Sequence, residues 1–118
     1  MEYEYTIPGI PPSNNRYIGR RNNWEYNKVK KQWEALIAYC CRYRPPKPLE
    51  RAEICIEYFF PNKRRRDPDN YSGKMLLDGL VKAGIITDDS FEVIFGISYQ
   101  HNYDKTNPRT VITVREVC

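Results

Sequence analysis

Apolar and polar positions alternate strictly from residue 2 to residue 7. Tyr3, Tyr5 and Ile7 stand against Glu2, Glu4 and Thr6, the period of a half-buried strand. Pro8-Gly9 and Pro11-Pro12 end it, and Ser13 to Asn23 forms a polar loop, long enough in a small domain to suggest binding. The period then becomes helical. Val29, Trp33, Leu36, Ile37 and Cys40 make one apolar stripe, starting near Trp24 with Asn22 or Asn23 as cap, and Lys28, Lys31, Glu34 and Arg42 lie opposite. Pro45-Pro46-Lys47-Pro48 stops this helix. Residues 51 to 60 alternate again, with Ile54, Ile56, Tyr58 and Phe60 on one face. Cys55 and Phe59 opposite them predict burial on both sides, as in a central strand. Residues 69 to 83 read as a second helix with Leu76, Leu77, Leu80 and Val81 inward. Gly84 is placed for a left-handed cap over which Ile85 or Ile86 closes. Thr87-Asp88-Asp89-Ser90 is a turn, and residues 92 to 100 and 109 to 117 are strands, expected to pair as a hairpin across Asn102 to Pro108. The order βαβαββ predicts one compact α+β domain over residues 1–118, a mixed sheet packed with two helices.

Composition narrows the function. Hydrophobic residues make up 41% of the 118 and charged residues 29%, a globular balance. No apolar run approaches the roughly 20 residues that span a bilayer, and the N-terminus lacks a signal-peptide pattern. The expectation is a soluble, cytoplasmic protein without a membrane partner. Cys40, Cys41, Cys55 and Cys118 include no C-x-x-C pair, and the single histidine, His101, completes no zinc site with them. They read as reduced thiols, at least one of them in the core. A net charge of +4 says little alone, but the cations gather at Arg16 to Arg21, Lys28 to Lys31 and Lys63 to Arg66. Ten tyrosines, several beside cations, suit either a half-buried sheet face or stacking beside phosphate contacts.

The most informative stretch is Lys63-Arg64-Arg65-Arg66-Asp67-Pro68-Asp69-Asn70, four cations followed by two carboxylates one residue apart. Pro68 disfavours the α conformation at Asp67. If the chain stays extended to Asp69, both carboxylates project from one face, and Asp88 or Asp89 is available as a third oxygen ligand after the intervening helix. Hard cations such as Mg²⁺ and Mn²⁺ favour such ligands, often with substrate phosphates. The same residues also read as an N-cap at Asp67, a first-turn Pro68 and a helix-dipole anion at Asp69, with the arginines as solvated ion-pair partners. Asp88-Asp89 also reads as an ordinary turn. Lys74 is either a surface cation or a phosphate contact. The adjacent cations favour a metal-dependent nuclease.

Four segments together resemble the RusA-type endodeoxyribonucleases, which resolve Holliday junctions in bacteria and their prophages. Pro11-Pro12-Ser13-Asn14-Asn15-Arg16-Tyr17 is similar to the family's P-P-S-x-N-x-x-Y segment, and Arg66-Asp67-Pro68-Asp69-Asn70 to its R-D-x-D-N motif. Leu77-Asp78-Gly79-Leu80-Val81-Lys82-Ala83-Gly84 resembles its L-D-a-L-x-x-A-G helix end, and Asp88-Asp89 its following acidic pair. The resemblance implies a homodimer that nicks opposing strands of four-way DNA with Mg²⁺ or Mn²⁺, acting in recombination and repair. It implies Asp67, Asp69 and Asp89 as catalytic metal ligands with Asp88 adjacent, and Lys74 as the active-site lysine. Three residues separate Asn70 from Lys74 here, where the best-known members have two. In a continuous helix the extra residue, read at Gly73, turns Lys74 by about 100°; a later helix start removes the conflict. Asn14, Asn15, Arg16, Tyr17 and Lys63 to Arg66 are the expected DNA contacts. The alternatives are a non-catalytic nucleic-acid-binding module of this fold, a nuclease for other branched or single-stranded DNA, and a structural interaction domain whose acidic pairs are caps and turns.

Overall fold

The alternation at the N-terminus is realised as burial: Tyr3, Tyr5 and Ile7 are inside and Glu2, Glu4 and Thr6 outside along β1, Glu2–Pro8. The computed structural model describes residues 1–14 and 24–117. Asn15, Arg16 and Tyr17, the rest of the polar loop with its expected Asn22 or Asn23 cap, and Cys118 lie outside the described residues. The remaining elements are α1 (Trp24–Cys40), β2 (Ala52–Phe60), α2 (Lys74–Lys82), β3 (Ile94–Tyr103) and β4 (Arg109–Glu116). The sheet order is β1-β4-β2-β3. β4 runs antiparallel to both β1 and β2, and β2 runs parallel to β3. The α+β class and the mixed sheet with two helices follow.

The expected hairpin between the last two strands does not form. β2 lies between them, so the short connection from Tyr103 to Arg109 steps over one strand. Its turn chemistry is nonetheless strong. Asp104 accepts bonds from the Thr106 and Asn107 amides at 3.2 and 3.1 Å and from Arg109 Nη1 at 2.7 Å. The Arg109 guanidinium, with help from Thr106, holds the Asp104 carboxyl below its usual range. β2 is central as expected, but it is buried on one face only. Its inward positions Ala52, Ile54, Ile56, Tyr58 and Phe60 are buried, while Glu53, Cys55, Glu57 and Phe59 are half-buried. One covered and one open face is the usual economy of a sheet with antiparallel pairs.

The stripe of α1 turns Ile37 fully into the core, with Trp33, Leu36 and Cys40 packed around it. Among the thiols, Cys41 is buried and pushed up to about 12 by that burial. α2 lies against α1 at Gly79, where any Cβ would collide with the Ile37 side chain. The C-terminus of α2 is a Schellman cap: the Ile85 amide bonds the Leu80 carbonyl and the Gly84 amide the Val81 carbonyl, both at 3.0 Å, with Gly84 at φ 77°. Leu49 then bridges to the segment beyond it, giving its amide to Ile85 O and accepting from Thr87 N at 2.9 Å each.

The second helix departs from expectation. Instead of one run over 69 to 83, a 3₁₀ turn spans Pro68–Tyr71, Gly73 is left-handed at φ 79°, and α2 begins at Lys74. Pro68 sets the first residue of the turn. At Gly73 a Cβ would stand 2.8 Å from Ile56 Cδ1, so a glycine is required both for the dihedral and for the approach to β2. Three side chains hold this break. Tyr58 Oη donates to Tyr71 O and Tyr99 Oη to Ser72 O, both at 2.7 Å, and Asn14 Nδ2 donates to Ser72 Oγ at 2.9 Å.

Gly73 and Gly84 share a left-handed dihedral but not a neighbourhood, since nothing lies within 4 Å of a Cβ at Gly84. Gly84→Ala is expected to lose about 1–2 kcal/mol, the left-handed cost alone. Gly73→Ala is expected to lose that and a further overpacking cost of about 1–3 kcal/mol. Urea unfolding of both variants checks the difference; equal losses would show that Ile56 moves aside freely.

Candidate active site

The site is built on the two segments that follow β2 and α2. Arg66 shapes the first. Its Nη1 donates to the Asn62 and Arg64 carbonyls at 2.9 and 3.1 Å, its Nη2 to Asn62 Oδ1 at 3.0 Å, and its guanidinium lies 4.3 Å over the Phe60 ring. Arg66 therefore closes the turn from Asn62, while Lys63, Arg64 and Arg65 stand exposed. Asp67 follows with φ −100° and ψ 133°, the extended backbone expected before Pro68. It occupies the capping position of the 3₁₀ turn, yet its carboxylate makes no capping bond. It accepts instead from Arg65 Nε at 3.3 Å, leaving it half-exposed. Asp69 is exposed on the turn, and its carbonyl accepts from Asn14 Nδ2 at 3.4 Å. Asn14 thus has a positioning role, tying the N-terminal segment to the turn that carries both carboxylates.

The second segment centres on Asp78, which sequence reasoning missed as a site residue although it stands inside the Leu77-Asp78-Gly79 motif. Its Oδ2 is buried without a hydrogen bond. Lys30 Nζ lies 3.4 Å and Lys74 Nζ 3.7 Å from it. Asp89 lies beside Asp78. Partial burial, a proton shared with Asp78 and the repulsion from it together raise the Asp89 pKa above its ordinary 3.8. Asp88 is exposed and acts on Asp89 only as a further like charge. Lys74 and Asp89 line one cleft of about 240 Å³ with Ser72, Leu77, Phe91 and Tyr99. Lys74, the first residue of α2, lies on the Asp78 side of the helix because the two are four residues apart.

The structure therefore gathers Lys74, Asp78 and Asp89 in one place and sets Asp67 beside the cations in a neighbouring cavity. Among the described residues no three His, Cys, Asp or Glu side chains converge as a metal-holding group. The donor chemistry still suits a hard divalent ion. The Asp78 and Asp89 carboxyls offer oxygen only, the donor type that hard divalent ions take, although the buried Asp78 Oδ2 already faces the Lys30 and Lys74 ammonium groups. His101, the single histidine, lines the cationic cavity with Tyr99 and Tyr103.

No protein-family model matches the chain. Individual relatives do. The crossover junction endodeoxyribonuclease RusA of Escherichia coli strain K12 is 37% identical over 93 residues, 75% of this chain and 74% of the relative. The enzyme of the same description from Enterobacteria phage 82 is 36% identical over the same length. That of Aquifex aeolicus strain VF5 is 29% identical over 118 residues, 97% of this chain and 91% of the relative. The chain belongs to the RusA family of crossover junction endodeoxyribonucleases. Membership fits the sequence resemblance, and no helix among the described residues is long and apolar enough to cross a membrane. In this RusA-family chain the aspartates fall on two separately held supports, one on the turn after β2 and one across α2 and its following turn.

The Asp89 shift has a consequence for stability. A carboxyl raised in the folded state contributes stability below its unfolded value, here 3.8, and loses it as pH rises through the folded value. Asp89→Asn is therefore expected to melt above the parent chain near neutrality in metal-free buffer, with the gap closing below pH 3.8. Thermal melts across that range check it, and a lower neutral melting temperature would mean that the fold satisfies the ionised carboxylate.

Proposed function

We propose that this protein is a divalent-metal-dependent endodeoxyribonuclease that resolves four-way DNA junctions by paired hydrolysis. The observation that carries the reading is the half-buried Asp78 carboxylate, ion-paired with Lys74 and in contact with Asp89, in a chain of the RusA family. Asp67, Asp69 and Asp89 would hold Mg²⁺ or Mn²⁺, with Asp78 and Asp88 as neighbouring oxygen donors. The ion supplies Lewis acidity toward the phosphate and lowers the pKa of bound water.

The chain's own residues supply the rest. Lys63, Arg64 and Arg65 draw the DNA backbone to the turn that bears Asp67. Arg66 keeps that turn in shape. Lys74, exposed at the mouth of the cleft and 3.7 Å from Asp78, offsets charge on the phosphate as it develops. Asp78 positions Lys74 at the first residue of α2. Lys30 shares Asp78 from the facing helix, and so keeps α1 part of the same support.

Asp67→Asn, Asp69→Asn and Asp89→Asn are each expected to lower junction cleavage by more than about 100-fold, since loss of outer partners of a metal site alone costs about 10–100-fold. Junction binding in a mobility-shift assay is expected to persist or tighten, because the cationic surface is untouched. Normal cleavage by all three variants would remove the metal reading; normal cleavage by Asp89→Asn alone would pass the role to Asp88 or Asp78.

Paired nicks in strands related by two-fold symmetry need two active sites, and one domain offers one. A symmetric homodimer supplies both. Phe91 in the turn before β3 and Phe95 near its start, both large and exposed, are apolar area that a second copy would cover. Sedimentation equilibrium is expected to give twice the 14.1 kDa chain mass. A strict monomer with and without junction DNA rules out paired cleavage by a stable dimer.

A further inference from the structure

We propose that the cavity of about 290 Å³ between the Lys63–Arg66 turn and the far half of β3 receives one unstacked nucleobase from the branch point of the DNA. This rests on the reading that the substrate is branched DNA, and it assigns the residues that recognise the branch.

The cavity arises from strand register. β2 and β3 run parallel with Tyr58 opposite His101 and Phe60 opposite Tyr103, so these four side chains share the face that the helices cover. The apolar core packs over that face as far as Ile97. Beyond it Tyr99 and Tyr103 remain 39% and 41% exposed. The floor is rigid: the Tyr58 and Phe60 rings stack at 5.6 Å and Tyr71 stands edge-on to both, at 5.7 and 5.3 Å. Tyr58 and Tyr99 spend their hydroxyls on backbone carbonyls, which fixes them as walls. His101 and Tyr103, 6.1 Å apart edge to face, are the rings left at the mouth.

The other wall is cationic. Arg66 is held in the turn, whereas Lys63 sits 5.5 Å from the Tyr103 ring centre, close enough to swing from the ring to a phosphate. Exposed rings beside exposed cations suit a single nucleotide: the base offers a π-face and its phosphate the negative charge. An apolar peptide in the same place would strip water from these cations and return nothing. A base pair within a duplex has both faces stacked, but at a branch point unstacking costs least. Asp67 lines the same cavity. Its negative charge pushes the attached phosphate toward Lys63 and Arg64, so a captured base sets the neighbouring phosphodiester beside the carboxylate turn.

The test uses the full chain in EDTA, with three fluorescent probes: an immobile four-way junction, the same junction with abasic sites at the branch, and a linear duplex. The wild type is expected to bind the intact junction best and the abasic junction less well. His101→Ala combined with Tyr103→Ala is expected to weaken intact-junction binding by about 5- to 150-fold, the equivalent of one base stack. The same variant should bind the linear duplex as before and lose the preference for intact over abasic. Tyr103→Phe, which keeps the ring, should behave as wild type. Arg64→Ala with Arg65→Ala should weaken all three probes together. If the double aromatic variant keeps the wild-type preference for intact over abasic junction, base capture is wrong although junction recognition stands. If the wild type does not distinguish junction from duplex, the branched-substrate reading itself fails. If the aromatic variant sediments as a monomer where the wild type is a dimer, the cavity is an interface between copies and the proposal is overturned.

Discussion

Everything at the site depends on β2 and β3 running parallel. Two neighbouring strands can point the same way only if the chain between them travels back along the sheet, and here that return is α2. Both strands therefore end at the same edge. The segment leaving β2, with its cations and Asp67, meets the last residues of β3, His101 and Tyr103, because of direction and not because of any attraction between them. Ligand sites in sheets with parallel strands collect at such carboxyl ends for this reason. Had the last two strands formed a local hairpin, β3 would have run beside β4 and its aromatic row would have been separated from Tyr58 and Phe60.

Much of the fold was legible from period alone. Tyr3, Tyr5 and Ile7 announced β1, and Ile54 to Phe60 announced β2, because each alternates with the period of a strand; the open second face of β2 was not legible, since Cys55 and Phe59 there read as buried. The α1 stripe and the Gly84 cap were equally plain, since both are local. Strand partners were not legible. The Asp104 turn has the hydrogen bonds of a tight connection, and the same chemistry serves a hairpin or a step across one strand, roughly 10 Å in total. The break at Gly73 was hidden for a related reason. Leu76, Leu77 and Leu80 keep helical spacing, and the glycine's role comes from Ile56, a residue on another element.

The candidate site was legible as a set of residues and not as an arrangement. Asp67, Asp69, Lys74 and Asp89 stand out because charge and proline spacing are visible along the chain. Asp78 did not, because a single aspartate in a helix reads as surface until its burial beneath Lys30 and Lys74 is known. After the burial of Asp89 itself, its position also helps to raise the Asp89 pKa. Two carboxyls in contact, one of them with an oxygen lacking a hydrogen bond, are a local sacrifice of stability of the sort that functional sites carry.

Gly73 has a wider effect than relieving a collision. Asp67 and Asp69 sit before it, Lys74 and Asp78 after it, and the helix ladder does not run through it. The two groups are therefore joined as two plates are joined by a pin. Their relative pose is held at the break by the hydroxyls of Tyr58 and Tyr99 and the amide of Asn14. A residue gained or lost before such a pin changes the reach of the turn and leaves the register of α2 from Lys74 onward unchanged.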